Sequence, residues 1–264
     1  MNRMSRRSCL RGMAAGALLP LGMARAQTNP PEMLLYCGIT MVRPMTEIAH
    51  AFEQAHGVRI RIAQGGSADL YQSAYKSRVG DWYLPGEPSY YHQHKAEGLL
   101  GRTQVVGYNQ MAMVVRKGNP KGIKADPREL LRPDLTVILG SAESGSVGRE
   151  AKAVLDRLGI YPQVVRNTAF LAPDSRSLLN AMKRGEADLT LSWRATAMFP
   201  DNASAVDALD LPVRLAQPQP LLLVALNTSQ QTALRDRFMD DAASEPAQAV
   251  FRRYGFLDNR SRVQ

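Results

Sequence analysis

Hydroxyl and glycine residues recur in this chain where a β-like run gives way to a helical pattern. Four such junctions stand out: Gly38-Ile39-Thr40, Gly65-Gly66-Ser67, Ser144-Gly145-Ser146-Val147-Gly148 and Asp174-Ser175. A helix start exposes unpaired backbone N–H groups and a partial positive charge, and hydroxyls add further neutral donors. Each junction is therefore a potential anion contact. Any one of them alone also reads as an ordinary N-cap. Four together point to a shared site, because parallel strands gather their carboxyl ends on one side of a sheet.

Other residues suggest competing chemistry. Cys37 lies three residues before Thr40 and offers a thiol to a soft ligand, or else a small apolar side chain to the core. His92 and His94 have metal-ligand side chains, but i and i+2 diverge on a helix and no third ligand is near. Ser73-Ala74-Tyr75-Lys76 fits a Ser-x-x-Lys pattern without its Ser-Asp-Asn and Lys-Thr-Gly companions, so no enzyme and no cofactor are expected. Arg43, Arg149 and Arg194 flank the junctions; turned inward they would pair with an oxyanion, turned outward they are solvated rim charges.

The elements that must position these residues alternate between strand and helix, which predicts an α/β fold with mainly parallel strands. Strands are expected at 33–36, 58–63, 105–115, 135–139, 187–192 and 221–226, and helices at 44–56, from 68, 146–158, 175–184 and 232–254, the last interrupted near Pro246. The run at 105–115 is long enough to cross between two lobes.

Residues 1–26 have a different character. Arg3, Arg6, Arg7 and Arg11 precede an apolar run from Gly12 to Met23 and the triplet Ala24-Arg25-Ala26, the layout of a cleavable signal peptide. Ser5-Arg6-Arg7-Ser8-Cys9-Leu10-Arg11 is similar to the twin-arginine export pattern. Cleavage near Ala26 would lower the formal charge from +9 to +4, with the remaining basic residues dispersed. Nucleic-acid binding is therefore not expected. Cys37 would be the one cysteine left, so a core rather than a disulfide must hold the fold in a periplasmic setting.

Several segments resemble the periplasmic molybdate-binding proteins of ABC transporters. They are Leu35-Tyr36-Cys37-Gly38-Ile39-Thr40, Met45-Thr46-Glu47-Ile48-Ala49, Gly65-Gly66-Ser67, Val147-Gly148-Arg149-Glu150-Ala151-Lys152, Arg184-Gly185-Glu186-Ala187-Asp188 and Ala247 to Phe256. The resemblance runs from Met33 to Phe256. It implies a type II, two-lobed periplasmic binding protein, each lobe a mainly parallel sheet flanked by helices, with the ligand in the interlobe cleft. One lobe would comprise 33–107 plus 217–264 and the other 108–216. By the same resemblance the anion contacts fall on Thr40, on Ser67 or Gly66, on Val147 beside Ser146, on Ser175 and on Trp193, where the family has a tyrosine. The implied partners are a small molybdate-like anion and a membrane ABC permease. A periplasmic protein that senses another anion, an organic carboxylate or a thiophilic oxyanion, and signals to a membrane sensor is the alternative. A monomer is expected. The segment Gly80 to Tyr90 departs from the family after its first positions, which leaves ligand specificity open.

Overall fold

The computed structural model describes residues 30–258. The expected signal peptide, 1–26, lies outside the described residues. The strands are β1 (Glu32–Gly38), β2 (Arg59–Gly65), β3 (Trp82–Leu84), β4 (Leu100–Asn109), β5 (Met111–Arg116), β6 (Val137–Gly140), β7 (Thr168–Ala172), β8 (Leu189–Trp193), β9 (Val206–Asp210) and β10 (Gln219–Leu226). The helices are α1 (Val42–His56), α2 (Ser67–Ser77), α3 (Ser89–His94), α4 (Ser146–Arg157), α5 (Tyr161–Asn167), α6 (Ser175–Lys183), α7 (Arg194–Met198), α8 (Pro200–Ala203), α9 (Thr232–Ala242) and α10 (Glu245–Arg253).

Two five-stranded sheets form, ordered β2-β1-β3-β10-β4 and β7-β6-β8-β5-β9. Each is mixed rather than mainly parallel. β1 runs parallel to β2 and β3, and β6 parallel to β7 and β8, while β4, β5, β9 and β10 enter antiparallel pairs. The antiparallel strands are those that carry the chain between sheets, and a strand returning from the other lobe has no crossover helix to make it parallel.

The expected long strand at 105–115 is two strands, β4 in the first sheet and β5 in the second, broken at Gln110. The Gln110 amide donates to Leu211 O at 3.1 Å and Ala216 O at 2.8 Å, tying this crossing to the second one between β9 and β10. The interruption expected near Pro246 within the helical stretch 232–254 divides it into α9 and α10, with Pro246 in the first turn of α10, where its missing N–H leaves no helical hydrogen bond unmade.

Alternation along β1 splits the first lobe's core between the two faces of its sheet. Met33, Leu35 and Cys37 pack with α1, α9 and α10, while Leu34 and Tyr36 face α2 and α3 with Tyr71 and Tyr90. The second lobe closes around one cluster that includes Val114, Leu139, Leu155, Leu179 and Trp193. Ala195 and Phe199 follow β8 in the second sheet yet belong to the first sheet's cluster, so the lobes share apolar contact beyond the crossings.

Candidate functional site

The four junctions meet. A cavity of about 10 Å³ is lined by Gly38 to Thr40, Gly65 to Ser67, Gly86, Gly145 to Val147 and Asp174-Ser175. This is room for roughly one water-sized sphere. Thr40, Ser67 and Ser175 are 5%, 3% and 2% exposed, so their hydroxyls are almost dry. Thr40 Oγ1 and Ser175 Oγ lie 2.9 Å apart across the cleft. Ser67 Oγ accepts the Gly86 N–H at 3.0 Å.

Local folding explains the donors. Gly66 and Gly145 stand at the N-caps of α2 and α4 with extended backbone, and glycine has no side chain to bond the first-turn N–H groups. Asp174 instead caps α6 by accepting the Ser177 N–H at 2.7 Å, which fixes Ser175 at the helix start. Among the described residues no lysine or arginine lines this cavity. The field there comes from helix starts, opposed by Asp174 and by Asp69, whose carboxylate lies beside Gly66 in the first turn of α2.

The lobes touch tightly at the ring. A methyl group on Gly86 would sit 2.1 Å from Ser146 Oγ, and one on Gly66 would sit 2.7 Å from Ser144 O. Both glycines are in the first lobe and both serines in the second, so only glycine permits this closure.

The flanking arginines bridge the lobes rather than enter the ring. Arg43, at the start of α1, pairs with Asp201. From α4, Arg149 lies 4.0 Å over the Tyr90 ring and donates to Ser89 Oγ at 3.1 Å and Gln93 Oε1 at 2.8 Å. Arg194 donates to Asp210 Oδ1 at 2.8 Å and to Gly255 O at 2.9 Å. Near Arg149, the buried Glu150 is pushed up to about 7 by desolvation; Arg157 works against that shift and Glu87 adds to it.

Two expected contacts fall elsewhere. Trp193 is fully buried in the second lobe's core and lines neither this cavity nor the larger one beside it. Every residue of β8 is buried, so alternation could not reveal which way it points. Cys37 is fully buried on the core face of β1, and desolvation raises its thiol far above the ordinary range. It does not face the cleft. Ser73 bonds its own helix at Asp69 O, 2.8 Å away, and lines neither cavity. His94 stacks on Tyr71 at 3.8 Å and bonds Glu97.

Gly86 was not legible as a ring member, because it follows a three-residue strand, Trp82 to Leu84, too short and too buried to show a period. A second cavity of about 260 Å³ shares Ile39, Thr40 and Ser175 with the ring and extends along α6 to Lys183 and across to α7 and α8. Its other polar residues, Arg176, Asn180, Thr196 and Asn202, lacked any sequence signal beyond their polarity.

The chain matches other proteins over most of its length. Residues 33–257 fit the model of a family described as bacterial extracellular solute-binding protein. A sulfate-binding protein of Synechococcus elongatus is 23% identical over 212 residues, which is 74% of this chain and 59% of the relative. The sulfate-binding protein SubI of Mycobacterium tuberculosis superposes with a TM-score of 0.74 at 20% identity, over 86% of each chain. The periplasmic molybdate-binding protein of Azotobacter vinelandii superposes equally well, with a TM-score of 0.74 at 13% identity, over 85% of this chain and 98% of that one. The two mixed sheets joined by paired crossings are thus the fold of periplasmic binding proteins, and the chain belongs to the bacterial extracellular solute-binding protein family.

Proposed function

We propose that this protein captures a tetrahedral oxyanion of the molybdate, tungstate or sulfate kind at the ring of junctions and delivers it to a membrane ABC permease. The observation that carries this reading is the Thr40–Ser175 contact, 2.9 Å across the cleft, inside a ring of buried neutral donors. A dry anion needs several such donors, each charge-assisted hydrogen bond contributing roughly 1.5–3 kcal/mol. The relatives described as binding sulfate and molybdate support the same ligand class.

The lobes, 33–107 with 217–264 and 108–216, open and close about the crossings held by Gln110. With only about 10 Å³ between the junctions, an oxyanion enters when they part slightly, and it displaces the Thr40–Ser175 hydrogen bond. In this account residues 1–26 direct export and are removed, and the mature protein works as a periplasmic monomer. A thermal-shift screen of the mature protein against molybdate, tungstate, sulfate and phosphate tests the proposal. At 100 times its dissociation constant a ligand adds about 2.7 kcal/mol to folded-state stability. One of these anions should raise the melting temperature; a shift seen only with neutral sugars or amino acids would refute the reading.

A further inference from the structure

The ring opens into a larger chamber of different character. The cavity of about 260 Å³ shares Ile39, Thr40 and Ser175 with the ring. Arg176, Asn180 and Lys183 line it at i, i+4 and i+7 along α6, so they form one stripe of that helix, and all three are exposed. Its buried polar lining is Thr40, Ser175 and Thr196. The Thr196 hydroxyl, in a residue only 3% exposed, has no hydrogen-bond partner. A buried unpaired hydroxyl is costly and points to a polar partner supplied from the chamber.

The charges around the ring are lopsided. Three cations, Arg43, Arg176 and Lys183, border the chamber against one carboxylate, Asp201, which bonds Arg43 and feels Lys183 more weakly. Arg176 and Lys183 donate to neutral amide oxygens, Gln64 Oε1 at 2.9 Å and Asn202 Oδ1 at 3.4 Å. The chamber therefore keeps an excess of two positive charges. On the α2 side of the ring the sign reverses, because the exposed Asp69 stands beside Gly66. A dianion is repelled on that side and attracted on the other.

We propose that the chamber is the entry station of a dianionic oxyanion: Arg176 and Lys183 draw it from solvent, Thr196 receives one of its oxygens, and the parting of Thr40 from Ser175 admits it to the ring. The ring itself has no lysine or arginine, so attraction over distance must come from its approach. Lys183 is eight residues from Ser175, about 12 Å of helix rise, and bonds Asn202. It therefore acts on arrival rather than by holding the anion in the ring. Such attraction weakens with salt, since charges farther apart than about 8 Å are largely screened at physiological ionic strength.

This inference rests on the ring being the oxyanion site, and stopped-flow binding of molybdate, tungstate, sulfate and phosphate to the mature protein separates the two. Rates are read from about 0.01 to 0.3 M ionic strength. Lys183→Gln should lower the association rate constant roughly three- to tenfold at low salt, flatten its salt dependence and change release less than about twofold. Lys183→Arg should restore the parent's rate and salt slope. Lys124→Gln, which removes an exposed charge lining neither cavity, should leave association unchanged. Thr196→Val should slow association by a factor that salt does not alter, because a hydroxyl carries no net charge. If Lys183→Gln or Thr196→Val associates as fast as the parent, or Lys183→Gln acts through release instead, the inference fails while the ring reading stands. If none of the four anions binds the parent, the ring reading fails and takes the inference with it.

Discussion

Thr40 and Ser175 are 135 residues apart, lie on opposite lobes, and place their hydroxyl oxygens 2.9 Å from each other. Because Thr40 follows β1 of one sheet and Ser175 opens α6 beside the other, the proposed parting of the lobes would break the pair. Replacing either by alanine should weaken oxyanion binding roughly ten- to hundredfold, as expected for the loss of one charge-assisted hydrogen bond of about 1.5–3 kcal/mol. Calorimetry of Thr40→Ala and Ser175→Ala checks this; unchanged affinity in both would move the anion out of the ring.

Closure itself depends on Gly86. The Cβ of Gly86→Ala would collide with Ser146 across the cleft at 2.1 Å, yet the collision vanishes when the lobes part. The variant should fold, show a larger radius of gyration in small-angle scattering, and lose oxyanion binding. A variant as compact as the parent, with its affinity intact, would show that Gly86 does not gate closure.

Arg149 holds the closed form by stacking on Tyr90 and bonding Ser89 and Gln93. Those contacts break on opening, so Arg149→Ala should release anion faster, with the association rate changing less. Stopped-flow displacement measures both rates. A slowed association with unchanged release would instead assign Arg149 to steering.

Stability should respond to pH through Glu150. Its folded value near 7 exceeds the ordinary 4.5, so between those values the folded protein keeps a proton that the unfolded chain has lost. Stability from this group therefore falls as pH rises from about 4.5 to 7 and levels off above, by up to about 3 kcal/mol. The carboxylates held low by ion pairs, Asp134, Asp207 and Asp236, act oppositely: their stabilisation is present above their ordinary value near 3.8 and lost as pH falls below it. Urea titrations of Glu150→Gln should show a flatter profile above pH 4.5 and greater stability than the parent at pH 8. Equal slopes would place the proton elsewhere.

Cys37 is buried in the core with its thiol strongly disfavoured as a thiolate. A disulfide reagent should leave it unmodified in the native protein and react fully in denaturant. Rapid native labelling would restore a cleft-facing thiol.

Much of the lining of this candidate site could be read in the residues themselves. Hydroxyls and glycines at strand-to-helix junctions mark local chemistry, and Thr40, Gly66, Ser67, Ser146, Val147 and Ser175 all line the small cavity. What could not be read depends on direction and closure. Trp193 sits in a strand buried on both faces, so no alternation marked its side. Arg43 and Arg149 find their partners only across the cleft, and the chamber along α6 exists only because α7 and α8 fold back over it. The break at Gln110 is similarly hard to read, because apolar residues resume at Met111 directly after Asn109-Gln110 and only the sheet pairing separates β4 from β5.

The most direct measurement is a crystal structure of the mature protein soaked with tungstate and, separately, selenate, read by anomalous scattering. The strongest peak is expected inside the ring, with anion oxygens within hydrogen-bonding distance of Thr40 Oγ1, Ser67 and Ser175 Oγ. A strongest peak outside that ring, for both anions, would contradict it.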